Sequence, residues 1–159
     1  MIVKLSGIQK NERNCSDVCT PTCPDGWEQF EGRCFLWVRN NKTSWDGAEI
    51  FCQNEGGHLA SVFSKEDQDY MLDQVGTTTV WIGATDEKKE GSWEWTDCSP
   101  FNFTGWAPGE PSQTPQQEEN CAELFREEKH YKGWNDLDCN ASLDFVCARR
   151  ICSGKARIR

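Results

Sequence analysis

The stretch TGWAPGEPSQTPQQEENC, residues 104–121, decides how this chain is read. It sets three carboxylates (Glu110, Glu118 and Glu119) and three prolines between a tryptophan and a cysteine. Neither an alternating nor a helical hydrophobic period runs through it. The prolines exclude a helix interior and a central strand, so the stretch is a loop. Charge so concentrated in a loop is either a solvated surface or a site that holds a cation.

The rest of the composition narrows the choice. A chain of 159 residues suits one domain, with eight Trp and eight Phe to build a core. Ten cysteines, an even number in a short chain, read as a disulfide framework made in an oxidising compartment. Asn-x-Ser/Thr triplets at Asn14, Asn41, Asn102 and Asn140 agree with an extracellular location. No run approaches the roughly 18 apolar residues of a membrane span. MIVKLSGIQKNERN (1–14) is too polar for the apolar stretch of a secretory signal, so a secreted protein whose signal has been removed is expected.

A net charge of −9 argues against nucleic acid as a partner, since phosphate binding draws on clustered Lys and Arg. The basic residues of RRICSGKARIR (149–159) read as a solvated tail. His58 and His130 form no HExxH zinc motif, and no Gly-x-Ser-x-Gly elbow is present, so the chain is not read as an enzyme. His58 is expected to be a hydrogen-bonded structural residue, and the tryptophans at 81, 93, 95, 106 and 134 to be core rather than sugar-stacking platforms.

Three segments follow from local patterning: an extension over 1–22 tied down by disulfides, a compact domain over 23–148 and the basic tail over 149–159. GWEQFEGRCFLWV (26–38) predicts a hairpin closed by Cys23 and Cys34. TSWDGAEIFCQNEG (43–56) predicts a helix capped by Thr43 or Ser44, with Trp45, Ala48, Phe51 and Cys52 on one face. SKEDQDYMLDQVG (64–76) predicts a second helix, with Ser64 and Asp67 as a capping box and Tyr70, Met71 and Val75 on its apolar side. Short strands are expected at VWIGA, SWEWTD, CAELF, GWNDLDC and DFVCARR, between long polar loops.

In order, Cys23, Cys34, WDGAEIFC, GGHLASV, WIGATD, WEWTD, WAPGEPS, ENCAEL, GWNDLDC and DFVCA make a series that resembles the C-type lectin-like domain. The resemblance runs from about residue 23 to 148. It implies an α+β fold of two helices and small antiparallel sheets with a long calcium-binding loop. It also implies the disulfides Cys23–Cys34, Cys52–Cys147 and Cys121–Cys139 and places residues 104–121 in that loop.

The resemblance further implies Ca2+ as cofactor and a glycan as ligand. Glu110, Ser112, Glu119, Asn135 and Asp136 would supply oxygens, the donors that this hard cation selects, and Glu110–Pro111 would be a cis peptide. With the Asp136 carbonyl these side chains would leave an eight-coordinate ion two positions for adjacent sugar hydroxyls. The same residues would therefore bind carbohydrate. Glutamate at the first motif position points to mannose or N-acetylglucosamine, with equatorial 3- and 4-hydroxyls, rather than galactose.

Ser112 stands where the family has Asn or Asp, so weaker metal or sugar binding is expected. The interval from Glu110 to Glu119 is one residue longer than the family pattern, which keeps Glu118 open as a substitute for Glu119. DEKKEG (86–91) suggests a second ion held by Asp86 and Glu90, with Glu119 and Asn120 completing it. The family also contains members that bind a protein or an ice surface without recognising sugar.

Cys15, Cys19, Cys98 and Cys152 remain after the implied pairs. Cys152 is expected to bond Cys15 or Cys19, leaving the other N-terminal cysteine and Cys98 for each other or for a second chain. A disulfide-linked homo-oligomer presenting several weak sites is the preferred expectation.

Overall fold

A computed structural model describes Cys15 and residues 18–112, 118–127 and 131–153. The strands are β1 (Cys19–Thr20), β2 (Glu28–Phe30), β3 (Arg33–Thr43), β4 (His58–Leu59), β5 (Val80–Thr85), β6 (Glu94–Trp95), β7 (Cys121–Glu127), β8 (Tyr131–Leu137) and β9 (Leu143–Ile151). Two helices, α1 (Trp45–Asn54) and α2 (Lys65–Val75), lie in the first half.

Ser44 caps α1 by accepting from the Gly47 amide at 3.2 Å, and Trp45, Ala48 and Cys52 are buried on one face, as their spacing requires. Ser64 caps α2 by accepting from the Asp67 amide at 3.1 Å. Asp67 does not close the expected box back onto residue 64. It accepts from the Phe63 amide at 2.9 Å and pairs with the buried Arg33 guanidinium at 3.0 Å, a stronger partner that draws the carboxylate outward from its own turn.

The fold is α+β as expected, its strands joined in one mixed sheet in the order β2–β3–β9–β5–β7–β8. The join is β9, which runs antiparallel to β3 and parallel to β5. It continues to Ile151, past the expected boundary at 148, because Cys19–Thr20 of the extension pairs beside Arg150–Ile151. The strand expected over 92–97 is reduced to two residues. Trp95 is buried against Phe101 and Trp134, and Trp93 packs partly buried against Trp106, so aromatic packing takes the place of a ladder.

Trp81, Trp95 and Trp134 are fully buried; Trp93 and Trp106 pack on the cluster of Trp95 and Trp134, and Trp81 lies in a second cluster with Trp45 and Phe145. His58 Nδ1 lies 2.6 Å from Glu49 Oε1, and Glu49 Oε2 accepts from the Leu59 amide, so this histidine ties α1 to β4. Asn41, Asn102 and Asn140 are exposed, while Asn14 and His130 fall outside the described residues.

Cys23–Cys34, Cys52–Cys147 and Cys121–Cys139 are bonded as implied. The other four form Cys15–Cys98 and Cys19–Cys152, and no cysteine is free. The expected covalent homo-oligomer therefore has no thiol to form it. β1 lies beside the end of β9, which brings Cys19 to Cys152 and leaves Cys15 in reach of Cys98. The protein should run at monomer mass on a non-reducing denaturing gel, with no thiol labelled by iodoacetamide until a reductant is added.

Candidate functional site: an acidic loop beside the β7–β8 hairpin

The loop that carries Glu110 is held by the main chain of β8. Trp134 donates to the Gly105 carbonyl at 2.9 Å, and its own carbonyl accepts from the Ala107 amide at 2.9 Å. Trp106 and Trp134 form the resulting parallel bridge, with their rings 5.3 Å apart edge to face. Gly133 permits the approach. Its φ is +139°, and a Cβ there would lie 2.6 Å from the Gly105 oxygen and 2.8 Å from the Ala107 nitrogen.

This clamp sets the turn that carries Glu110 and Ser112 against β8. The Ser112 amide donates to Asp136 Oδ1 at 2.9 Å, and Asn135 Nδ2 donates to Glu123 Oε1 at 2.8 Å. Glu110–Pro111 is cis, and Glu110 Oε2 is buried with no hydrogen-bond partner. Asp136 is 2 % exposed. Its pKa is pushed up from 3.8 to about 6, first by burial, with Glu110 and Glu119 adding to the rise and backbone amides of Ser112 and Asp136 opposing it.

Burial, Glu110 and Asp138 likewise raise Glu119. Glu119 thus shares the field of Glu110 and Asp136, whereas Glu118 is exposed. The acids are not drawn together as tightly as one coordination sphere. Among the described residues the one trio of acidic, histidine or cysteine ligand atoms within 4.8 Å of each other is Glu87, Cys121 and Cys139, whose sulfurs are bonded together.

This donor set fits a hard dication. It offers carboxylates and an amide, one carboxylate oxygen is orphaned in a buried position, and one acid is pushed toward its protonated form by burial and, after that, by its acidic neighbours. A second pair lies next to it. Asp86 is 1 % exposed, its Oδ2 accepts from the Gly91 amide at 2.8 Å and its Oδ1 is buried without a partner. The Asp86 amide donates to the Asn120 carbonyl at 3.2 Å, while Glu90 is exposed on the adjoining turn.

Glu123 was missed in the sequence. Its role depends on the hairpin register that sets it across from Asn135, and CAELF alone reads as a strand. Burial raises its pKa, the hydrogen bond from Asn135 opposes this, and Glu119, Glu127 and Glu110 add to the rise.

Two substitutions check this geometry. Gly133→Ala should cost about 2–3 kcal/mol through strain and the clash with the loop. That cost corresponds to a fall of roughly 5–10 °C in the thermal midpoint. Asp136, with a folded-state pKa above its unfolded value, binds its proton more tightly in the fold, so its contribution is present at low pH and lost as pH rises from about 4 through about 6. In chelator, urea unfolding should show the natural chain losing stability relative to Asp136→Asn across that window.

Comparison with known proteins agrees with the fold. Residues 41–149 match the family described as Lectin C-type domain. The galactose-specific lectin nattectin of Thalassophryne nattereri is 34% identical over 145 residues, covering 87% of each chain. Human C-type lectin domain family 17, member A is 36% identical over 132 residues, and the match covers 81% of this chain but 32% of that protein. Among solved structures, the C-type lectin domain of murine dendritic cell inhibitory receptor 2, in complex with N-glycan, superposes with a TM-score of 0.74 at 30% identity, covering 81% of this chain and 99% of the other. A calcium-independent type II antifreeze protein superposes at 0.71 with 36% identity, covering 81% and 95%. The chain belongs to the C-type lectin domain family.

Proposed function

We propose that the protein is an extracellular, calcium-dependent lectin that binds mannose- or N-acetylglucosamine-type sugars through Glu110, Ser112, Glu119, Asn135 and Asp136. The observation that carries this reading is the unpartnered oxygen of Glu110 beside a buried Asp136 whose pKa is raised first by burial and then by Glu110 and Glu119. A scaffold used only for its shape has no need of such a set, and a dication offsets the mutual repulsion. Calcium bound there would act as a Lewis acid toward two adjacent hydroxyls of a sugar.

The protein's own groups would set the geometry. Glu110 can only accept hydrogen bonds and the Asn135 amide nitrogen can only donate them, so the pair favours hydroxyls arranged to donate to one and accept from the other. Ser112 offers a short, rotating hydroxyl in place of an amide, which loosens the hold and lowers discrimination. Asp86, Asn120, Glu119 and Glu90 would hold a second, weaker ion, supported by the unpartnered Asp86 Oδ1. Five intrachain disulfides favour an oxidising, extracellular setting. Avidity would come from repeated ligands or non-covalent association.

A second reading has one observation in its favour: the 36% identity to a calcium-independent antifreeze protein of the same fold. There the surface would meet ice or a protein without an ion.

Calcium should raise the thermal midpoint and chelator should abolish binding to a mannan-coated surface, with free mannose inhibiting better than galactose. Ser112→Asn should tighten mannose binding. Binding that survives excess chelator overturns the calcium reading, and inhibition led by galactose, the sugar named for nattectin, overturns the preference. Thermal hysteresis that persists in chelator supports the second reading.

A further inference from the structure

Antiparallel pairing of β7 and β8 sets Glu123 directly across from Asn135, and the amide nitrogen of Asn135 donates to Glu123 Oε1 at 2.8 Å. A side-chain amide has two unlike ends that differ by a half-turn. The carboxylate decides between them: as an acceptor it takes the NH2 end and repels the carbonyl end. Turning the amide over would set two oxygens against each other at a position only 9 % exposed, where little water can relieve them. With the nitrogen fixed on Glu123, Asn135 Oδ1 is directed away from it.

We propose that Glu123 is a positioning residue that locks the Asn135 amide with its carbonyl oxygen free for the cation and one N–H left for a ligand hydroxyl. This rests on the calcium reading above, but it concerns a residue that touches neither ion nor sugar. The lock has a simple purpose. An asparagine free to turn over would present an NH2 end to the ion in one of its two orientations, and the ion would lose an oxygen. Glu123 also carries charge, which attracts a cation whichever way the amide points, so orientation and charge must be separated by experiment.

Calcium affinity of the full chain, measured by competition with a fluorescent chelator and no sugar present, separates them. Glu123→Ala, which removes acceptor and charge, should weaken calcium about 10-fold or more. Glu123→Gln keeps an acceptor for the Asn135 nitrogen but has an amide that can itself turn over, so it should recover only part of that loss. In an Asn135→Asp background no amide needs turning, so Glu123→Ala should cost much less there.

Equal losses for Ala and Gln would show that charge alone acts and overturn the lock. So would an equal loss in both backgrounds, or an unchanged affinity in Glu123→Ala. Thermal melting in chelator establishes that each variant is folded, with Glu123→Val, suited to a strand, replacing Ala if it is not. A natural chain that binds no calcium overturns the calcium reading and the lock together. A natural chain that binds while Glu123→Ala binds equally well overturns the lock alone.

Discussion

Two backbone hydrogen bonds between Trp134 and residues 105 and 107 determine where the acidic loop lies. They connect a segment with no regular structure of its own to a strand whose tryptophan is fully buried among Trp95, Phe101, Phe103 and Trp106. Loop residues ordinarily bring conformational entropy that a weak ligand cannot repay. Here the aromatic core has already fixed Trp134, and Asn135 and Asp136 follow it without a break. Preorganisation of the site is therefore a property of the core, transmitted through one glycine-enabled contact.

The acids that meet at the end of this clamp oppose one another. Asp136 is raised to about 6 by burial, and its neighbours Glu110 and Glu119 push in the same direction. Such a set stores unfavourable interactions that a proton relieves, which couples it to pH and to the stability of the domain, and a dication of the kind proposed above would relieve them in the same way. The clamp keeps the cost from being relieved by simple separation of the loop from the strand.

Much of this was legible from residues. The helices were, because Ser44 and Ser64 are capping residues ahead of amphipathic runs, and so were the strands of the second half, whose aromatic and branched residues fit a pleated surface. The candidate ligands were legible from oxygen chemistry and motif order; of these, the Ser112 amide meets Asp136, and Asp136 shares the field of Glu110 and Glu119. What escaped depended on distance in space. The partner of Cys15 is set by how β1 docks on β9, the turn of Asp67 toward Arg33 needs two elements far apart in sequence, and Glu123 gains its meaning from a strand register. Local pattern contains none of these.

The bond between Cys19 and Cys152 has a mechanical consequence. It joins positions 133 residues apart, next to the parallel pairing of β1 with the end of β9. Tension applied along the backbone before Cys19 and beyond Cys152 would pass through that covalent bridge and leave the chain between them slack. The acidic loop, the β7–β8 hairpin and both helices lie off the path of the load. Load carried between these two flanks would therefore leave the β7–β8 hairpin and the residues proposed as the binding site unstrained.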